Sequence, residues 1–212
     1  MILQGDLSLP RDPKGMVLFA HGSGSSRYSP RNRYVAEFLN EHSFGALLAD
    51  LLTAEEERAD AISGHLRFDI GLLKTRLTAI ADWVASQSSV KQYPLGLFGA
   101  STGAAAALFT AAERPEHVKA IVSRGGRPDL AQDALSRVRA PTLLIVGGQD
   151  RTVIKLNRAA MAVMTCEVEL SIVSGATHLF EERGTLAQVA SLASDWFTAH
   201  LAAQHEPVRS SP

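Results

Sequence analysis

Three residues that together can perform acyl transfer follow predicted strands, in the order serine, aspartate, histidine. Ser101 lies in the motif Gly99-Ala100-Ser101-Thr102-Gly103, between an apolar segment that predicts a strand and an alanine-rich segment that predicts a helix. Small flanking residues allow the backbone to make the tight strand-to-helix turn that exposes a serine nucleophile. The motif therefore indicates a nucleophile at Ser101, and its alternative interpretation is a plain glycine-rich turn.

A serine hydroxyl is a poor nucleophile unless a base takes its proton and an anion orients that base. His178 follows the last predicted strand, and Asp150 follows the strand before it. Asp150 has an alternative role as the cap of the helix that comes next. Asp129, one strand earlier, is the alternative acid. We expect Asp150 to act with His178, because it directly ends an apolar strand.

The composition restricts the function classes. The chain has 212 residues, 46% of them hydrophobic, a net charge of -1 and a single cysteine, Cys166. This length fits one domain, which we expect at residues 1–203, with a disordered tail at 204–212. The near-neutral charge gives no reason to expect nucleic acid or a membrane surface as a partner.

One cysteine cannot form an internal disulfide, and the histidine spacing shows no metal pattern, so we expect no metal and no cofactor. The start of the chain lacks signal-peptide features, which predicts a cytoplasmic protein, and the oligomeric state stays open.

Apolar segments alternate with amphipathic ones along the whole chain. This alternation predicts an α/β fold with a mostly parallel, doubly wound sheet and helices on both faces. Ser29-Pro30 predicts the start of a helix that Gly45 ends. The acidic segment from Thr53 to Gly64 predicts a surface loop with one helical turn. Ligands of such sheets bind at the carboxyl ends of the strands, where the three candidate residues would meet.

Four segments together resemble the marker loops of the α/β-hydrolase superfamily. They are Leu18-Phe19-Ala20-His21-Gly22, Gly99-Ala100-Ser101-Thr102-Gly103, Gly147-Gly148-Gln149-Asp150 and Ala176-Thr177-His178. The resemblance implies the α/β-hydrolase fold and an oxyanion hole formed by backbone amides. The amide of Ser23, with Gly24 close behind, would act there together with the amide of Thr102.

Within that superfamily the chain resembles small dienelactone-hydrolase-like serine hydrolases. Dienelactone hydrolases proper carry a cysteine nucleophile, whereas this chain has Ser101. Some relatives are similar domains fused to a phosphoribosyltransferase, and we expect no second domain here. The resemblance implies hydrolysis of an ester bond through an acyl-enzyme.

The predicted substrate is a small soluble ester or thioester. The segment 123–140, where many superfamily members insert a lid, is short, so we expect an open site with no large lid domain. Arg124 or Arg127 could bind an acidic substrate group, or both could simply solvate a glycine-rich loop. Two other functions fit the same residues: a non-catalytic ligand-binding protein of this fold, and a haloperoxidase-like perhydrolase.

Overall fold

A seven-stranded sheet forms the centre of the computed structural model, which describes residues 2–201. Its strands are β1 (Gly5–Ser8), β2 (Gly15–Ala20), β3 (Phe44–Ala49), β4 (Leu95–Ala100), β5 (Val118–Arg124), β6 (Thr142–Gly147) and β7 (Val168–Val173). They are arranged in the order β1-β3-β2-β4-β5-β6-β7. Strand β1 runs antiparallel to β3, and all other neighbours are parallel. The predicted mostly parallel, doubly wound sheet is confirmed.

Helices cover both faces of this sheet. They are α1 (Pro30–Glu41), α2 (Ala54–Ser63), α3 (Ile70–Ser86), α4 (Thr102–Glu113), α5 (Arg151–Met161) and α6 (Thr185–His200). Val35 of α1 and Phe197 of α6 belong to the core on one face, and Leu77 of α3 and Leu108 of α4 belong to the core on the other. Because both faces are covered, strands β2, β3, β4 and β6 are buried along their whole length and, apart from Thr142 at the start of β6, are apolar.

The register of the sheet brings the carboxyl ends of the central strands to one edge. Ala100, the last residue of β4, pairs with Arg124, the last residue of β5. Ala20, the last residue of β2, pairs with Gly99. The loops that carry the candidate residues therefore leave the sheet side by side, as the parallel arrangement requires.

The segment that we interpreted as an acidic loop is a complete helix, α2. Thr53 caps it by accepting a hydrogen bond from the backbone of Glu56, and the Glu56 side chain accepts one from the backbone of Thr53. This reciprocal capping box satisfies two amides that a helix start leaves free. Gly64 ends α2 in the left-handed conformation, at φ 67°. The prediction was wrong because the only buried residue of this helix is Asp60, so no apolar period marks it.

Helix α1 begins where the sequence predicted and ends earlier. Ser29 is its N-cap and accepts a hydrogen bond from the amide of Asn32 at 3.3 Å, with Pro30 in the first turn. Its last residue is Glu41, and Ser43 takes the left-handed conformation at φ 68°. Gly45, predicted to end the helix, instead lies within β3, where a Cβ would collide with the side chain of Met16.

No large lid follows the strand after Ser101. Residues Pro128–Arg137 form a short 3₁₀ segment that packs against α4 and α5. Of the helices that the structure describes, none has both the length and the apolar character needed to cross a bilayer. The predicted tail at 204–212 lies outside the described residues.

Candidate active site

Ser101 lies on a strained turn between β4 and α4. Its φ of 51° and ψ of -120° are rarely adopted by a residue with a side chain. A Cβ on Gly99 would lie 2.8 Å from the backbone nitrogen of Ala104, and one on Gly103 would lie 2.5 Å from the carbonyl oxygen of His21. Only glycine fits at these two positions. The turn that the motif predicted is therefore present, and Ser101 is its half-buried tip.

The carboxylate of Asp150 both caps a helix and orients an imidazole. Its Oδ2 accepts a hydrogen bond of 2.7 Å from Nδ1 of His178. Its Oδ1 accepts one of 3.2 Å from the amide of Val153, in the first turn of α5. The two roles that the sequence presented as alternatives are thus performed together, one by each oxygen. The shared carboxylate is held on a rigid helix, which fixes the direction of the imidazole.

Ser101 and His178 line the same cavity, which has a volume of about 220 Å³. Within the described part of the chain, no hydrogen bond joins the Ser101 hydroxyl to the His178 ring. Such a bond is often long in unliganded active sites and shortens when a substrate binds. The structure therefore brings the three predicted residues to one site, with the hydrogen bond between His178 and Asp150 already formed.

Asp129, the alternative acid, is paired elsewhere. Its two carboxylate oxygens accept hydrogen bonds of 2.8 and 2.7 Å from the guanidinium of Arg127. This bidentate pair engages both oxygens of Asp129, and within residues 2–201 no hydrogen bond joins that carboxylate to His178. The geometry favours Asp150 as the acid.

A neutral histidine fixes the loop that follows β2. Nε2 of His21 accepts a hydrogen bond of 3.0 Å from the amide of Leu51, so its Nδ1 carries the proton and donates to the carbonyl of Gly22 at 3.0 Å. Burial lowers the pKa of His21 and keeps the ring neutral. Gly22 lies directly against Ser101, where an added Cβ would be 3.0 Å from the serine Cβ. His21 thus positions the loop beside the serine and takes no part in proton transfer.

The candidate oxyanion donors lie on either side of Ser101. Thr102 is the first residue of α4, where backbone N–H groups have no partner within the helix. Ser23 follows Gly22 and lines the cavity. Gly24 lines a neighbouring cavity of about 190 Å³ on the other side of this loop. Ser23 and Thr102 are therefore better placed than Gly24 to bind a negative oxygen in the Ser101 cavity.

Arg124 lines the same cavity and is almost completely buried, with 7% of its surface exposed. Its Nη2 donates a long hydrogen bond of 3.4 Å to Oδ1 of Asn32, and its Nε has no partner. Among residues 2–201, no carboxylate lies within ion-pair distance of it. Burial and the nearby charge of Arg31 lower the pKa of Arg124 to about 10.

Sequence reasoning missed three residues of this site. Arg31 and Asn32 line the cavity from the start of α1. Glu182 accepts a hydrogen bond of 3.1 Å from the amide of Thr177, next to His178. Hydrogen bonding from the Thr177 side chain, with smaller contributions from the backbone amides of Glu182 and Thr177, lowers the pKa of the Glu182 carboxyl. The Ser29-Pro30 cap located the start of α1, but only the topology shows that this start faces Ser101.

No group of three histidine, cysteine, aspartate or glutamate side chains within residues 2–201 is arranged to hold a metal ion. The cavity instead offers a hydroxyl, an imidazole oriented by a carboxylate, free amides and guanidinium groups. This set is suited to transfer of an acyl group by way of a covalent intermediate.

Comparisons with known proteins agree with the fold. A crystal structure of a dienelactone hydrolase from Anabaena variabilis is 57% identical, with a TM-score of 0.93, and the match covers 94% of this chain and 92% of that one. A monoacylglycerol lipase from Paleococcus ferrophilus is 17% identical with a TM-score of 0.73, covering 94% of this chain and all of that one, and shows likeness of fold alone.

Among curated proteins, a putative phosphoribosyl transferase from Mycobacterium tuberculosis is 58% identical over 197 residues, covering 93% of this chain. The chain spans less than half of that relative, 44% of its length. The sequence model of the dienelactone hydrolase family matches residues 3–203, nearly the whole chain. That match and the 57% identical dienelactone hydrolase support a hydrolase, and the chain belongs to the dienelactone hydrolase family.

Proposed function

We propose that this protein is a serine hydrolase that cleaves small ester or thioester bonds through an acyl-enzyme on Ser101. One observation carries the proposal: the hydrogen bond of 2.7 Å between His178 and Asp150 lies at the cavity that holds the strained Ser101. A structural turn needs neither an oriented imidazole nor strain at a serine. A base directed by a carboxylate is what a hydroxyl nucleophile requires.

In the first half of the reaction, the Ser101 oxygen forms a bond to the substrate carbonyl carbon while its proton passes to Nε2 of His178. The negative charge that develops on the carbonyl oxygen is bound by the amides of Ser23 and Thr102, each worth about 3 kcal/mol in comparable sites. The bond to the leaving alcohol or thiol then breaks, and His178 returns the proton to the leaving group.

In the second half, water attacks the acyl-enzyme and gives a proton to His178. The tetrahedral intermediate collapses, the acid leaves, and the proton returns to Ser101. The positive charge of the imidazolium is stabilised throughout by Asp150. The absence of a large lid, seen in the short segment between β5 and β6, is consistent with small soluble substrates.

The name of the curated relatives points elsewhere. The transferase name belongs to proteins of which this chain spans only 44% of the length. The region that aligns with this chain is the region that the dienelactone hydrolase family model covers. A phosphoribosyl transfer would not need a serine nucleophile with an oriented imidazole. We therefore propose that the hydrolase activity, and not the transferase name, describes this part of the relatives.

A panel of short acyl esters and thioesters tests the proposal. The wild-type protein should hydrolyse acetyl and butyryl esters, and Ser101→Ala should reduce the rate by about 10³-fold or more. Ser136→Ala, which changes an exposed serine of the 128–137 segment, is the matched control and should keep the full rate. Equal rates in wild type and Ser101→Ala would show that the nucleophile lies elsewhere.

A further inference from the structure

The Ser101 cavity contains a buried positive charge, the guanidinium of Arg124, whose central carbon lies 5.9 Å from the ring centroid of Phe180. Arg124 is buried there without a carboxylate partner in the described part of the chain, and a buried cation normally has one. A charge held in this way is destabilising unless a bound anion offsets it. Arg124 is therefore available to bind an anionic ligand from solution.

A second arginine lies beside the first. Arg31 lines the same cavity, and its positive charge contributes to the lowered pKa of Arg124. Its Nε is also buried without a partner. Its only ion pair among residues 2–201 is with Glu181 at 3.2 Å, and the Glu181 side chain is 64% exposed. Because such an exposed pair is weak, two guanidinium groups remain available to one ligand.

The remaining donors suit an anion with several oxygens. Neither an aspartate nor a glutamate of the described chain lines the cavity, whereas the hydroxyl-bearing residues Ser23, Ser25 and Ser29 do. Ser29 is the N-cap of α1, so the positive end of that helix is directed at the same space. A planar carboxylate has two oxygens and one charge. A phosphate monoester has three terminal oxygens and two charges. It therefore fits a set of two guanidinium groups, three hydroxyls and the start of a helix better than a carboxylate does.

We propose that the substrate of this hydrolase is an ester that carries a phosphate monoester, with the phosphate bound by Arg124 and Arg31. This inference rests on the proposed function, since it assigns the substrate class of the Ser101 site. The phosphate and the scissile carbonyl would occupy one cavity of about 220 Å³, so the two groups must be only a few bonds apart in the substrate.

Binding of inorganic phosphate tests the anion site without any catalysis. In Ser101→Ala protein, phosphate should raise Tm in a concentration-dependent manner, and chloride at equal ionic strength should not. Adding Arg124→Met should abolish the phosphate effect. It should leave Tm in phosphate-free buffer unchanged or higher, because an apolar side chain replaces an unpaired buried charge. Arg139→Met, an exposed arginine in the loop before β6, is the matched control and should keep the effect.

Three acetate esters test the substrate class: glycerol monoacetate, its 3-phosphate, and 3-O-acetylglycerate, which carries a carboxylate. The phosphate ester should have a kcat/KM at least about tenfold above either of the others, as expected for hydrogen bonds to a charged group. The preference should disappear in Arg124→Met and persist in Arg139→Met.

The outcomes separate the two proposals. Equal turnover of all three esters would overturn the phosphate inference and leave the serine hydrolase intact. A preference for the carboxylate ester would overturn the assignment to phosphate. Phosphate binding that depends on Arg124, with no ester hydrolysed, would support the anion site and contradict the hydrolase.

Discussion

Replacing Asp150 with asparagine separates its catalytic role from its structural one. An asparagine oxygen can still accept the hydrogen bond of the Val153 amide, so α5 keeps its cap. Toward His178, however, the amide NH₂ group would donate where the carboxylate accepts. The ring would then place its proton on Nε2, the atom that must take the proton of Ser101.

The expected loss can be estimated from this change of tautomer. The corresponding substitution in a serine protease lowers kcat by about 10⁴, which is about 5.5 kcal/mol of transition-state stabilisation. Stability should change far less. The lost charge at the helix start costs at most about 1 kcal/mol, so Tm should fall by no more than about 2–4 °C for a protein of this size.

Two further variants complete the experiment. Asp150→Ala removes both the acid and the cap, so it should lose the same activity and about 1 kcal/mol more in the free energy of unfolding. Asp129→Asn breaks only the pair with Arg127 and should keep most of the activity. Rates of ester hydrolysis and thermal melts of all four proteins provide the data. Full activity in Asp150→Asn, or its loss in Asp129→Asn, would refute the assignment of the acid.

Three other predictions follow from the same structure. Gly103→Ala should destabilise the protein by more than about 2 kcal/mol, seen as a lower Tm, because its Cβ would lie 2.5 Å from the His21 carbonyl oxygen. Thr53→Ala should lower stability by about 1 kcal/mol through loss of the α2 capping box, with kcat/KM unchanged. His21 has a folded pKa below its ordinary value of 6.5, so its contribution to stability is complete above that pH and is lost as the pH falls toward the folded pKa. Urea unfolding between pH 7.5 and 5.5 should show this loss in the wild type and a smaller one in His21→Asn.

Much of the site could be predicted because its parts are local in sequence. The turn at Ser101 needs only the glycines beside it, and the positions of Asp150 and His178 after strands follow from a parallel sheet. Helix α2 was not predicted in full. Its capping box was visible in the sequence, but it packs almost no apolar surface, so the periodic signal that marks a helix is missing.

The charge of the cavity could not be predicted from local patterns. Arg124 and Arg127 are equivalent as cations near one loop, and only packing distinguishes them. Arg127 bonds to Asp129, two residues away, whereas Arg124 donates a hydrogen bond to Asn32 of α1, which is 92 positions distant. The burial of a side chain by such a distant element cannot be predicted from the spacing of the residues next to it in the sequence.

The most direct test of the account is covalent labelling of Ser101. A fluorophosphonate probe reacts with a serine that is activated by an oriented imidazole, and intact-mass measurement with peptide mapping locates the adduct. We expect one adduct per chain, on Ser101, which is absent in Ser101→Ala and forms far more slowly in Asp150→Asn. An unlabelled wild-type protein that is shown to be folded, or an adduct on another residue, would contradict it.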